Sequence, residues 1–495
     1  MGTISLRKVG VNAAEPLFSN LDFTIGDNDR LALVAGNGRG KTTLMRCLAG
    51  FAEPSTGDIV RSRGLTVAVV EQDAPASLLG KTWRQILNAE DWRVEMALDE
   101  FSVPEALRDR PLAELSGGWR RLALISRASI ADPDLLLLDE PTNDLDLEKL
   151  LWLETWLGNL PRGTSLVITS HDRDFLDAVT DRTLFLRAGV SHYFALPYSR
   201  ARAALEEADA TAEAEQNKAL NEVARLRRQA AKLTNIGINS GSDLLTKKSK
   251  QLRDRAGRIE ENLENLHRER SGDIRLGDGA THARVLLSAE NVAVAAPDGS
   301  PLFRIGKLMV FQGDRIVLLG ANGTGKSQFL QLAKRTISEP GSVDGCKATP
   351  SLELGYAEQD MAHLPRRRTP DELVGEFGLG NQRNRALLAG AGFPIEKQAR
   401  PVAELSPGQR ARLAMLVLRL ADPNFYLLDE PTNHLDIAGI EALESEIIER
   451  ATTAIIVSHD RRFVRTVATR FLIIEREKLI ETDDPEPFLN GTTQG

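Results

Sequence analysis

Ten short stretches of this 495-residue chain carry side chains that could work on a phosphate, and they fall into two sets of five. AGNGRGKTT at 35–43 offers glycines whose backbone N–H groups can approach phosphate oxygens closely, with a lysine and two hydroxyls behind them. Lys41 is spaced to reach β- and γ-phosphates and Thr42 to ligate Mg²⁺, while Gly36, Asn37, Gly38, Arg39, Gly40 and Thr43 complete the cradle. GANGTGKS at 320–327 matches G-x-x-x-x-G-K-S/T in full: Gly320, Ala321, Asn322, Gly323, Thr324, Gly325, Lys326 and Ser327, followed by Gln328. The first copy has Ala35 where the opening glycine belongs. Asp139 and Asp429 are suited to hold the Mg²⁺ through water, and Glu140 and Glu430 to polarise an attacking water as general bases. Gln72 and Gln359 end the apolar stretches VAVVEQ and LELGYAEQ, where they suit a metal or water contact. His171 in ITSHD and His459 in IVSHD suit a γ-phosphate contact. Alone, an Asp-Glu pair reads as a helix cap and a histidine as a satisfied polar residue; their duplication in matching contexts favours chemistry.

These residues need a scaffold that gathers strand ends at one edge. Leu135–Leu138 is wholly apolar, as a strand buried on both faces of a parallel sheet requires, and its acidic pair follows where such sheets build active sites. Arg30–Val34 and Ile316–Leu319 read as strands entering the two glycine-rich turns, with helices after them. Ser116, Gly117 and Gly118, and in the second set Ser406, Gly408 and Gln409, open helical patterns whose N–H groups and hydroxyl can face an anion. They lie too far along the chain to belong to the same phosphate loop. All five motifs recur in order about 285–290 positions later, the mark of a tandem repeat. The repeats cover 1–197 and 284–484, leaving 485–495 as a short tail.

Residues 198–283 are different. From 199 to 232 the chain is rich in Ala, Glu and Arg and lacks Gly and Pro, which predicts one helix about 50 Å long. Turn chemistry follows at 235–243, then a second helix over 244–270. Leu252, Ala256, Ile259, Leu263 and Leu266 form its coiled-coil seam, so an antiparallel hairpin is expected. Between Arg225 and Arg258 stand ten Lys and Arg against Asp243 and Asp254, in a chain whose net charge is −8. A charge run alone reads as a solvated face; concentrated at a hairpin tip above an acidic base, it predicts a polyanion-binding surface. Two cysteines, no apolar leader and no stretch of about 18 apolar residues fit a reduced, cytoplasmic, membrane-free protein.

In this order, and twice over, the motifs resemble those of ATP-binding cassette proteins: phosphate loop, Q-loop, LSGGQ-like signature, Asp-Glu, D-loop and switch histidine. The resemblance implies an α/β fold of two tandem P-loop cassettes joined by the helical hairpin, with ATP and Mg²⁺ as ligand and cofactor. It also implies head-to-tail packing. One composite site would join Gly36–Thr43, Gln72, Asp139, Glu140 and His171 to Ser406–Gln409, and the other Gly320–Ser327, Gln359, Asp429, Glu430 and His459 to Ser116–Trp119. Two cassettes with DEPTN-(D/H)-LD after each catalytic strand and a basic helical pair between them are similar to the F subfamily. That implies a ribosome partner, with rRNA and tRNA near the exit and peptidyl sites met by the hairpin tip, in a translation factor or an antibiotic-protection protein; the modest turn favours the former. A tandem importer subunit has similar length but no such hairpin, and a DNA-repair ATPase would need a longer one and zinc cysteines. Three departures stand out: no aromatic near Val9–Val11 or Val294–Ala296 for a base to stack on, Trp119 in the first signature and Pro407 in the second.

Overall fold

The computed structural model describes residues 2–13, 16–240, 243–261, 274–276, 284–358 and 364–491. In the first repeat the core sheet runs in the order Val67–Val70, Leu135–Asp139, Ser165–Thr169, Arg30–Val34, Arg182–Phe185, His192–Phe194. The first five strands are parallel. Every residue of Leu135–Asp139 and of Ser165–Thr169 is buried, which is why these strands carry continuous apolar runs instead of alternation. The second repeat has the same parallel order, Leu354–Ala357, Phe425–Asp429, Ala454–Val457, Arg315–Leu319, Arg470–Glu475. An antiparallel layer flanks each core. In the first repeat it is the separate sheet of Ile4–Asn12, Pro16–Ile25 and Thr56–Arg61. In the second, Pro301–Phe311 joins the main sheet through the pair Arg304–Lys478.

This strand order puts three functional segments side by side. The phosphate loop leaves the central strand, the histidine segment leaves its neighbour, and the Asp-Glu pair leaves the next, all at C-terminal strand ends. The helices Lys41–Ala49 and Lys326–Ser338 begin directly after Gly40 and Gly325, which hold left-handed φ values of 89° and 102°.

The linker departs from expectation in one respect. The first helix runs Tyr198–Ser240, through the segment expected to turn, so it is about 64 Å long. Gly237 costs the helix about 1 kcal/mol. The partner helix Asp243–Glu261 offsets this by packing alongside, with Thr234 Oγ1 2.6 Å from Ser249 Oγ and Ser249 Oγ donating to Ala230 O at 2.8 Å. Helix therefore occupies positions 235–240 and 243, where the sequence suggested a turn. Leu252, Ala256 and Ile259 meet Val223 and Leu226 as the seam requires; Leu263 and Leu266 lie outside the described residues. The root of the long helix is fixed by Tyr198, which is fully buried, and by Asp177, which accepts from Ser199 N at 2.7 Å. In the tail, the short helix Glu486–Leu489 buries Leu489 in the shared core.

Candidate functional site

The two repeats face one another head to tail, and a single apolar core runs through both, with Leu145, Leu150 and Phe175 in the same cluster as Leu435, Ile440 and Phe463. Asn37 of the first phosphate loop donates its backbone N–H to Asp436 Oδ2 of the other repeat at 3.1 Å, and its side-chain amide to His434 O at 3.2 Å. Gly408 lies against the same place: a Cβ there would sit 2.8 Å from His434 O and 2.6 Å from Asn37 Nδ2. In the mirror position Asn322 Nδ2 is 3.4 Å from Asp146 Oδ2. Because backbone blocks the added carbon, Gly408→Ala should cut ATP turnover at least tenfold while each repeat keeps its fold. Steady-state turnover with far-UV circular dichroism checks this, and full activity would refute the close approach.

At the first site Thr42 Oγ1 donates to Asp139 Oδ2 at 2.6 Å, and Thr169 Oγ1 to Asp139 Oδ1 at 2.7 Å. Lys41 Nζ lies 3.2 Å from Ala35 O, 3.3 Å from His171 Nε2 and 3.4 Å from Glu140 Oε1. His171 Nε2 is 3.2 Å from Glu140 Oε1. Glu140 turns back toward this group from a left-handed φ of 48°, and Glu430 from 50°, a strained backbone that a sequence pattern does not reveal. Burial pushes the Glu140 carboxyl up, but His171 and Lys41 beside it hold it below the usual carboxylate range. Burial lowers His171, with Glu140 opposing and Lys41 assisting.

The second site is built alike but electrostatically different. Lys326 Nζ bonds to Gly320 O at 2.7 Å and Ala321 O at 3.1 Å. With the ammonium turned to its own loop, burial raises Glu430 to about 8 against the pull of Lys326, with Asp429 adding to the rise. Burial and then Lys326 push His459 down to about 3. His459 N donates to Glu430 Oε2 at 3.2 Å, and Ser327 bonds to Asp429. A cavity of about 600 Å³ opens here, lined by Gly323, Lys326, Ser327, Asp429, Glu430 and His459 together with Asp144 and His171 of the first repeat. Ala296, Pro297 and Leu302 also line it. They offer an aliphatic wall where the sequence lacked an aromatic.

These residues fit a Mg-nucleotide. Both oxygens of Glu140 and Oε1 of Glu430 are buried without a hydrogen-bond partner. A carbon built on Gly38 or Gly323 meets no atom within 4 Å. A hydroxyl beside a carboxylate, Thr42 with Asp139 and Ser327 with Asp429, is a hard-oxygen donor pair of the kind Mg²⁺ takes.

Several expected residues stand apart. Gln72 is exposed, and among the described residues only its carbonyl is engaged, by the buried Arg121, which also bonds Glu71 O at 2.8 Å. Gln359 lies outside the described residues. Ser116, Gly117 and Gly118 do not line the 600 Å³ cavity; a Cβ on Gly117 would instead strike Asp144 at 2.7 Å. The two signatures are not equivalent. Ser406 and Gln409 close a capping box, whereas Ser116 makes no side-chain cap bond and Trp119, in the place of the glutamine, cannot return one. Trp119 stacks edge-on to Trp83 at 6.1 Å, with Lys149 Nζ 5.0 Å over its ring. Arg121 was not anticipated, and Ala411 at the matching position of the second repeat removed the one signal that duplication gives.

The sequence profile of the ABC transporter family matches residues 18–143 and 305–433. The chain is 30% identical to the ATP-binding protein Uup of Haemophilus influenzae, over 96% of this chain and 79% of that one. It is 29% identical to ABC transporter F family member 5 of Arabidopsis thaliana, over 93% and 73%. Its fold matches the archaeal ribosome recycling factor aABCE1, solved with the ribosomal stalk protein aP1, with a TM-score of 0.61 and 22% identity over 95% of this chain and 87% of that one. The chain belongs to the ATP-binding cassette family. Within it, the chain is an F-type tandem-cassette ATPase, two cassettes joined by a helical linker. Among the described residues no helix is long and apolar enough to cross a membrane.

Proposed function

We propose that this chain is a cytoplasmic ATPase that binds the ribosome when ATP holds its cassettes together, and that it acts on translation through the linker tip, as a translation factor or an antibiotic-protection protein. The observation that carries this is the distribution of unpaired charge on the hairpin. Cations toward its base are engaged: Arg255 with Glu222 at 2.9 Å and Arg227 with Glu260 at 2.5 Å. Glu222 and Glu260 lie across the hairpin from these arginines, so a count along the chain overstated the free charge. Nearer the tip, Arg228, Lys232, Lys247, Lys248 and Lys250 are exposed and, among the described residues, have no acidic partner; Arg258, nearer the base, is exposed as well. Such a surface, at the end of a helix about 64 Å long, suits the phosphates of a large RNA assembly. That the structurally similar aABCE1 is a ribosome recycling factor agrees with this reading.

In this reading each nucleotide lies between one phosphate loop and the opposite signature. Site one takes Gly36–Thr43, Asp139, Glu140 and His171 with Ser406–Gln409; site two takes Gly320–Ser327, Asp429, Glu430 and His459 with Ser116–Trp119. Bound Mg²⁺ would neutralise phosphate charge beside Thr42 and Asp139, and beside Ser327 and Asp429. Lys41 and Lys326 hold the phosphates, Glu140 and Glu430 accept a proton from the attacking water, and His171 and His459 orient the terminal phosphate.

Co-sedimentation of the Glu140→Gln, Glu430→Gln protein with ribosomes tests the partner. Migration with ribosomes that depends on ATP is expected. No migration, from a protein whose wild type hydrolyses ATP, would refute it.

A further inference from the structure

Two helices make the same pair of contacts across the cassette interface. The helix Ile437–Glu449 is capped by Asp436, whose Oδ1 accepts from Gly439 N at 3.0 Å while Oδ2 reaches Asn37 N of the first phosphate loop at 3.1 Å. Eight residues on, about 12 Å along the axis, Glu444 grips Arg173 with both carboxylate oxygens, one bond being 3.1 Å to Nη1. Arg173 is two residues past His171. The helix Leu147–Gly158 repeats the arrangement. Its cap Asp146 faces Asn322 of the second phosphate loop, and eight residues on Glu154 grips Arg461, two residues past His459, with one bond of 3.2 Å.

Both grips are closed to solvent. Side-chain exposure is 5% for Arg173 and 8% for Glu444, and 6% for Arg461 and 14% for Glu154. A two-pronged guanidinium–carboxylate pair fixes direction as well as distance. Breaking such a pair strands a buried charge, so the partners move together. Each arginine is the first residue of a helix, Arg173–Val179 or Arg461–Val467. Those helices are capped by Asp172 and Asp460, which bond Phe175 N at 2.8 Å and Phe463 N at 2.9 Å. His-Asp-Arg is thus one stiff segment, and the arginine is its handle.

Resting on the nucleotide-site reading above, we propose that each of these helices is a strut that sets the opposite cassette's histidine. Glu444, through Arg173, positions His171 against Lys41 and Glu140; Glu154, through Arg461, positions His459 against Glu430. One rigid helix thereby holds a phosphate loop at its cap and a histidine segment at its middle, so an opening of the interface displaces both at once. Each site senses the other cassette at a point separate from the signature.

The test uses the full chain and measures single-turnover hydrolysis at one site at a time. Glu430→Gln leaves site one to report, and Glu140→Gln leaves site two. Adding Glu444→Gln is expected to lower the site-one rate constant at least tenfold more than the site-two rate constant, with half-saturating ATP changed less than threefold. The exchange Arg173→Glu with Glu444→Arg should restore site one to within threefold of its background. Should the exchanged pair fail to fold, Arg173→Lys keeps the charge and loses the fork, and a three- to tenfold loss confined to site one is expected. Equal losses at both sites, or a loss carried by half-saturating ATP, would mean the pair merely holds the interface and would overturn the proposal. Failure of the nucleotide-site reading looks different: turnover would then survive the combined Glu140→Gln and Glu430→Gln changes.

Discussion

ATP turnover should fall by about 10³-fold when Glu140 and Glu430 both become glutamine, while ATP stays bound. The geometry explains the size. Each carboxylate is the only buried acid with unbonded oxygens at its site among the described residues. Each is turned inward by a left-handed backbone that the next residue type inherits unchanged. Glutamine keeps shape and hydrogen-bonding capacity but cannot take the proton from water, so chemistry stops while the interface can still close. Filter-retained radiolabelled ATP, with phosphate release measured in parallel, checks both halves; rapid release with full phosphate production would sink the assignment. Single changes should be unequal. At site one Lys41 lies 3.4 Å from Glu140 and helps hold its carboxyl below the usual range. At site two burial raises Glu430 to about 8, against the pull of Lys326. A carboxyl raised in the folded state favours that state fully below its ordinary value, and the gain is lost as pH rises toward 8. Glu430→Gln should therefore raise the thermal midpoint more at pH 8.5 than at pH 6, a difference that Glu140→Gln should not show.

Much of this was legible in the sequence because duplication supplies a control. A phosphate loop, an Asp-Glu pair after an apolar run and a histidine after another each recur about 285–290 positions on, so accidental matches are discounted and a parallel sheet gathering strand ends is all but dictated. What stayed hidden is of three kinds. Cross-interface partners such as Asp436 with Asn37, or Glu444 with Arg173, lie hundreds of residues apart, and periodicity carries no information about such contacts. The left-handed turns at Glu140 and Glu430 have no glycine to announce them, because the strain is imposed by the surrounding fold. The extent of the first linker helix was underestimated because turn chemistry at Asn235–Asp243 is a local signal, and packing of Ser249 against Ala230 and Thr234 outweighs it.

Reversing Lys247, Lys248 and Lys250 to glutamate should weaken ribosome binding by on the order of 10²-fold near 0.1 M salt and flatten its salt dependence by about 2–3 in log–log slope. The three ammonium groups are exposed on the helix Asp243–Glu261 and, among the described residues, bond to no acid, so they are neutralised by solution ions until a polyanion displaces those ions. Nothing internal is lost with them. The hairpin is held by Val223 and Leu226 against Ala256, by Ser249 against Thr234, and by the Arg255–Glu222 and Arg227–Glu260 pairs, none of which the reversal touches. The helix should therefore survive, and an unchanged thermal midpoint would show that it does. Binding measured at several salt concentrations separates the two ways of losing affinity. A parallel drop with the slope unchanged would mean the tip reads shape or a single buried contact, and unaltered binding would remove the tip from the interface altogether. If slope and affinity fall together, the charge at the far end of the hairpin is what meets the ribosome, and the cassettes supply the ATP-gated geometry that delivers it.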